Sequence, residues 1–382
     1  MNDDIYFAPL LPWQRSLWTQ LTTRASSSSL PHALLAAGMQ GMGKRAFIWR
    51  LTAWLLCLQR EQHREGACGQ CASCQWLKSG THPSLQVLPL AQMPISANSS
   101  QATELTSKSS KKSVKATTKA AVTIKVDDIR ALQPFIYQGG QGIRICVLDY
   151  AEQMTIAAAN ALLKTLEEPQ AQVHLLLISD APAQLLPTIK SRVQQLPLQQ
   201  IESASALNYV TQTLASTVHR EVVGPDQIKQ LLQLANGAPL AAIDLAQAPW
   251  YSKRALWLTT WQALRSGKRS AIAASDYWQT QLAIADFIKL SEMMLVDIRR
   301  VYLGLPSSQQ DIHVLAAITA YLPGDSLSNE NLLSDNLIND NLINDNALTV
   351  VEQALQQIKM SLQQNVQEKF AYDKLMQQLV QL

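Results

Sequence analysis

The sequence predicts an α/β fold, a parallel sheet built around a phosphate-binding loop, followed by an all-helical C-terminal part. Three observations predict it. Gly38-Met-Gln-Gly-Met-Gly43-Lys44-Arg45 stands between a strand-like apolar run, His32-Ala-Leu-Leu-Ala-Ala37, and a helix-like stretch over residues 46–57. Further apolar runs, Ile143-Arg-Ile-Cys-Val-Leu148 and Val173-His-Leu-Leu-Leu-Ile178, alternate with helical segments, as in a sheet covered on both faces. From Tyr251 the chain is leucine-rich and helical in pattern, with Trp257, Trp261 and Trp278 as large anchors.

Taken in order, Tyr6-Phe-Ala-Pro-Leu-Leu-Pro-Trp13-Gln-Arg-Ser-Leu-Trp18 supplies aromatic anchors that should pack against the nucleotide domain ahead of a short helix. Strand, glycine-rich turn, Lys and helix is the order of a P-loop. There, backbone N–H groups and the helix N-terminus cradle phosphate while the Lys reaches the β/γ-phosphates. Gly38, Gly41, Gly43 and Lys44 fill those positions. The next position should offer a hydroxyl to Mg²⁺, and it is Arg45, a fixed cation with no lone pair for a metal. The expectation is a nucleotide-binding architecture without its own hydrolysis.

Four of the five cysteines, Cys57, Cys68, Cys71 and Cys74, fall close together. Two overlapping C-x₂-C units and a fourth Cys at the end of the preceding helix suffice for a closed tetrahedral zinc site, structural because no position is left open. An iron–sulfur cluster is the alternative, although the C-x₃-C-P continuation is absent. His63 and His82 are expected on the surface. Thr81-His-Pro-Ser-Leu-Gln-Val-Leu88 reads as a second strand. Residues 91–121, rich in Ser, Thr, Ala and Lys, read as a disordered insertion, solvated or touching DNA phosphates.

Val126-Asp-Asp-Ile-Arg130 opens a helix with Asp127 as N-cap. Asp149, after the 143–148 strand, stands in the Walker B position, where an acid holds the Mg²⁺ shell. The residue that should polarise water is Tyr150, and Glu152 is expected to point elsewhere. Leu162, Leu163 and Leu166 form a helical stripe ended by Pro169. A last strand is expected over 193–198, just after Ser191-Arg192.

Residues 201–248 read as a small helical lid and 249–382 as a helical domain. Asp297-Ile-Arg-Arg-Val-Tyr302 is a candidate exposed basic face, and 348–382 a final helix. Between them a five-residue repeat, Asn-Leu-Ile-Asn-Asp and its variant, matches neither helical nor strand period and reads as an expanded loop. At 382 residues, 47% hydrophobic and 16% charged, the chain can bury two or three cores, and a net charge of +3 does not argue for nucleic acid by itself. The absence of a signal-like start and of any apolar run approaching ~18 residues gives the expectation of a soluble, cytoplasmic protein. Clustered cysteines in such a chain point to metal rather than disulfides.

Together, Asn160-Ala-Leu-Leu-Lys-Thr-Leu-Glu-Glu-Pro169, His32-Ala-Leu-Leu, the cysteine module, Thr81-His-Pro83 and Ser191-Arg192 resemble the clamp-loader branch of the AAA+ superfamily over residues 6–198, and more loosely beyond. The resemblance implies an AAA+ domain over 1–200, the lid over 201–248 and a collar for oligomerisation over 249–382. It implies a non-hydrolysing subunit of the DNA polymerase III clamp loader, with tau/gamma and delta as partners and the sliding clamp and primer–template DNA as what the complex handles. Arg192 matches the Ser-Arg-Cys arginine that enters a neighbour's ATP site, and Val193 replaces the Cys. A guanidinium suits that role because it stays charged and matches phosphate geometry. The family's sensor arginine has no counterpart at Gly237-Ala-Pro-Leu240. Lys44 is retained, so nucleotide binding stays open, and a self-sufficient tau/gamma-like ATPase is the alternative. Neither the charge balance nor an aromatic-interleaved basic stripe supports a zinc-containing nucleic-acid module. Polymerase chemistry is not indicated in this chain and would belong to the holoenzyme.

Overall fold

The computed structural model describes residues 5–89, 123–137, 142–217, 224–309, 311–312, 314–318, 343, 345–363 and 367–382. The 91–121 insertion and most of the repeat lie outside them. The chain divides into two units: Met1–Gln212 with Gly237–Ala241, and Thr213–Asn236 with Ala242–Leu382.

The first unit holds a five-stranded sheet, β1 (Ala33–Ala37), β2 (Leu85–Leu88), β3 (Arg144–Leu148), β4 (Val173–Ser179) and β5 (Gln194–Gln195), in the order β2-β3-β4-β1-β5. Every pairing is parallel. Alternate residues of each central strand enter opposite cores, which is why the runs are apolar throughout rather than alternating. Leu34, Ala36, Ile145, Val147, Leu176 and Ile178 face one cluster with Tyr6, Trp18 and Phe47. Leu35, Cys146, Leu148, Leu175 and Leu177 face the other. Helices α1 (Arg15–Ser26), α2 (Lys44–Leu56), α3 (Ala72–Ser79), α4 (Val126–Tyr137), α5 (Ile156–Glu167) and α6 (Pro187–Lys190) connect and cover it, and α7 (Ser203–Thr217) follows.

Two local expectations change. The last strand shrinks to two residues: Leu196 still donates its N–H to Leu35 O at 2.8 Å, but the next N–H due on that side, that of Leu198, turns back onto Leu196 O at 2.8 Å and ends the ladder. At the start of α4 the capping contact is made by Asp128, whose Oδ2 accepts the Lys125 N–H at 2.7 Å, and Asp127 lies inside the first turn.

Beyond α8 (Pro225–Leu234) and α9 (Pro239–Gln247), the second unit is built of α10 (Arg254–Arg265), α11 (Ala271–Gln281), α12 (Ile284–Tyr302), α13 (Val314–Ile318), α14 (Asp345–Gln363) and α15 (Glu368–Gln381). Trp257, Trp261 and Trp278 are fully buried anchors. Trp257 Nε1–H donates to Ser291 Oγ at 3.0 Å, which satisfies the one polar atom it carries inside. The basic face expected around residue 297 is not formed. Asp297 is buried and accepts the Ser308 N–H at 2.7 Å, while Arg299 pairs with Glu352 at 3.1 Å and Asp345 at 3.4 Å. The expected single final helix is two, because α15 folds back so that Tyr372, Leu375, Met376 and Leu379 are buried. No helix among the described residues is long and apolar enough to cross a membrane.

Candidate functional site

In open α/β sheets ligands bind outside the carboxyl ends of the strands. Three functional segments converge there: the P-loop after β1, Asp149 after β3 and Asp180 after β4. Gly43 (φ +81°) turns the chain into α2, and Lys44 is the first residue of that helix. The Lys44 ammonium donates to Met39 O at 3.0 Å and pairs with Asp180. Arg45 Nε lies 3.0 Å from both oxygens of Asp149, and its Nη1 meets Asp180 Oδ2 at 2.8 Å. The guanidinium also stacks 4.2 Å from the centre of the Tyr150 ring. Two cations and two carboxylates thus neutralise one another across the ends of three strands.

This arrangement does not fit Mg²⁺-nucleotide chemistry. Arg45 already satisfies the acid that would face the metal, and Lys44 is turned onto Asp180 and a loop carbonyl instead of toward open space. The loop is clamped from outside as well. Trp13 Nε1–H donates to Met42 O at 3.2 Å, Gln14 Nε2–H to Gly43 O at 3.0 Å and the Leu240 N–H to Gly41 O at 3.0 Å. Gly41 (φ +89°) comes so near Ala241 that a Cβ would meet the alanine Cβ at 2.5 Å. The N-terminal aromatics therefore pack as expected, and Trp13 and Gln14 add a grip on the loop that their apolar pattern did not announce.

Two acids were not given this place from the sequence. Asp180 could have been found by the same rule that located Asp149, an acid closing a buried strand. Glu152 does not point elsewhere: its Oε1 accepts the Asp180 N–H at 3.2 Å, fixing the turn that aims Asp180 at the cations. Burial by itself raises the Asp180 carboxyl, but the hydrogen bond from Lys44 and the charges of Arg45 and Lys44 outweigh it and hold it below the ordinary 3.8. A depressed acid stabilises the fold above its unfolded pKa, and that contribution is lost as pH falls through the folded value. Asp180→Asn is expected to cost about 2 kcal/mol at pH 7, discounted from the ~3–5 kcal/mol of a fully buried pair because Asp180 is 22% exposed. The gap between wild type and variant in urea midpoint should begin to narrow as pH falls below 3.8 and close once pH is below the lower, folded value; an equal gap at pH 3 and pH 7 would contradict the pairing.

Arg192 lies just past α6. Its Nη2 pairs with Glu167 Oε1 at 2.7 Å, and its Nη1 reaches Thr188 O at 3.1 Å and Ser191 Oγ at 3.3 Å. The side chain is 36% exposed, so the guanidinium is ordered yet reachable.

The four cysteines converge as expected. Their sulfurs lie within 4.8 Å of one another, with Cys57–Cys71 at 3.9 Å and Cys68–Cys74 at 3.8 Å. A tetrahedral ion with metal–sulfur bonds of ~2.3 Å would set sulfurs ~3.8 Å apart, so the set fits a four-coordinate metal. Burial pushes the Cys57 and Cys74 thiols up, whereas at Cys68 the N–H groups of Gln70 and Cys71 outweigh burial and bring the thiol down to about 6. A bound metal would offset the mutual repulsion of four thiolates held this close. His63 is exposed, but His82 is buried, correcting the expected surface role. His82 Nδ1 accepts the Ser84 N–H at 3.0 Å, which leaves the proton on Nε2 for Ser73 Oγ at 2.8 Å, and Ser73 in turn donates to Leu56 O at 2.7 Å. Ser73 thus ties α3, which carries Cys74, to the end of α2 next to Cys57, and His82 holds the Ser73 hydroxyl in place.

The family model described as DNA polymerase III, delta subunit, matches residues 13–202. DNA polymerase III subunit delta′ of Pseudomonas aeruginosa is 37% identical over 241 residues, a match spanning 62% of this chain and 61% of that protein. The proteins of the same name from Yersinia pestis and Escherichia coli are 34% and 30% identical, with 69% and 70% of this chain matched to 67% and 71% of theirs. The parallel sheet around a P-loop implied by the motifs agrees with the sheet and loop described above. By sequence similarity of this extent, the chain belongs to the DNA polymerase III subunit delta′ family.

Proposed function

We propose that this chain is a non-hydrolysing subunit of the DNA polymerase III clamp loader, standing beside an ATPase subunit of the tau/gamma kind and presenting Arg192 to that neighbour's ATP site. Delta is the other expected partner, and the assembly as a whole acts on the sliding clamp and primer–template DNA. The observation that carries this reading is the position of Arg45. Its guanidinium lies between Asp149 and Asp180, the two acids that close β3 and β4, and so serves as a built-in cation. A subunit whose phosphate loop is neutralised by its own side chains holds one conformation, as a scaffold should, whatever the nucleotide supply. The four cysteines would hold zinc, which supplies no chemistry here and fixes the loop between α2 and α3. Arg192 needs no working P-loop in its own chain, because the charge it stabilises develops on the partner's nucleotide.

ATP turnover and equilibrium ATP binding by the purified chain test the reading. Turnover at the buffer blank and no saturable binding up to millimolar nucleotide are expected. Brisk hydrolysis would place the chain with the tau/gamma-like ATPases.

A further inference from the structure

We infer that Glu167 is a positioning residue for Arg192. Glu167 is the last residue of α5 and Glu168 follows it, so two carboxylates sit where the helix macrodipole already presents negative charge. Helix design alone would put a cation there. Arg192 is that cation, brought in from beyond α6, and its Nη2 meets Glu167 at 2.7 Å. With the side chains 36% and 51% exposed, the pair contributes little to stability. Its consequence is geometric. Glu167 on Nη2, with Thr188 O and Ser191 Oγ on Nη1, holds the guanidinium from two sides while the group stays at the surface.

An arginine side chain is otherwise free to sample many rotamers, and a catalytic group misplaced by about 1 Å can lose ~100-fold in rate. With Arg192 acting in trans as proposed above, Glu167 would remove that search before the neighbour's nucleotide arrives. The carboxylate does not touch the nucleotide and moves no proton; it acts only through the arginine.

The experiment uses the complete reconstituted clamp loader with Glu167→Ala, Glu167→Gln, Arg192→Ala and the Glu167→Ala/Arg192→Ala double variant. DNA-stimulated ATP turnover is resolved into kcat and KM, and thermal melting of each purified subunit is recorded. Glu167→Ala is expected to lower kcat at the served site about 10-fold with KM unchanged, Glu167→Gln to lose less because its amide oxygen still accepts, and melting to stay put. In the Arg192→Ala background, Glu167→Ala should have no further effect. If Arg192→Ala slows turnover but Glu167→Ala does not, the positioning role fails while the trans-acting arginine stands. If Arg192→Ala leaves turnover at the wild-type level, the trans-acting role itself fails. A Glu167→Ala loss of the same size in both backgrounds, or turnover faster than wild type, would also overturn the inference.

Discussion

Arg192→Ala is expected to leave this chain folded and to remove about three orders of magnitude from ATP turnover at the neighbouring site in a reconstituted clamp loader. That is the lower end of what an arginine supplied in trans contributes to phosphoryl transfer. The effect belongs in kcat, because the guanidinium meets charge that is greatest in the transition state. Arg192→Lys should not restore it, since a point charge lacks the planar fork. The folded state loses only an exposed ion pair and two hydrogen bonds to its own turn, about 1 kcal/mol or less, so a lowered rate cannot be blamed on an unfolded subunit. DNA-stimulated turnover at the wild-type level would remove Arg192 from the mechanism.

The second large effect is expected at the cysteine centre. Purified protein should carry about one zinc per chain, and Cys74→Ser should abolish it. Cys74 is fully buried, and its helix also inserts Leu77 into the core with Phe47 and Trp54. Structural zinc contributes ~10–16 kcal/mol in isolated zinc-finger peptides, where the metal is the core. Here the sheet folds around a core of its own, so metal loss should cost less, about 3–4 kcal/mol, or a Tm lower by about 10 °C. Cys146→Ala serves as the control: Cys146 lies within β3, outside the cluster, and should leave the metal content unchanged. Less than about half an equivalent of metal, together with unchanged melting after chelation, would rule out the structural role.

The contrast between Asp149 and Asp180 shows how much of the site could be read beforehand. Asp149 follows a strand in a recognisable relation to the P-loop, so its place was legible from order alone. Asp180 obeys the same rule one strand later, but nothing in the order of residues says that β4 lies between β3 and β1 and so delivers its acid to Lys44 and Arg45. Glu167 and Arg192 are 25 positions apart by their numbers, and their pairing depends on how α6 turns past the end of α5. His82 has the same lesson in smaller form: the expectation of a surface role fails because Ser73 and Ser84 approach closely enough to make a buried imidazole tolerable.

By itself the sequence determined the class of fold, the close spacing of four cysteines and the absence of a hydroxyl at position 45, because each depends on residue type and short spacing. The tertiary structure alone decided which charge answers which. Ion pairs form between atoms a few ångströms apart, and the crossovers of a parallel sheet set those distances with no trace in local periodicity. Arg45 was legible as a misfit; that it pairs with both Asp149 and Asp180 became visible only when the ends of β3 and β4 closed around it.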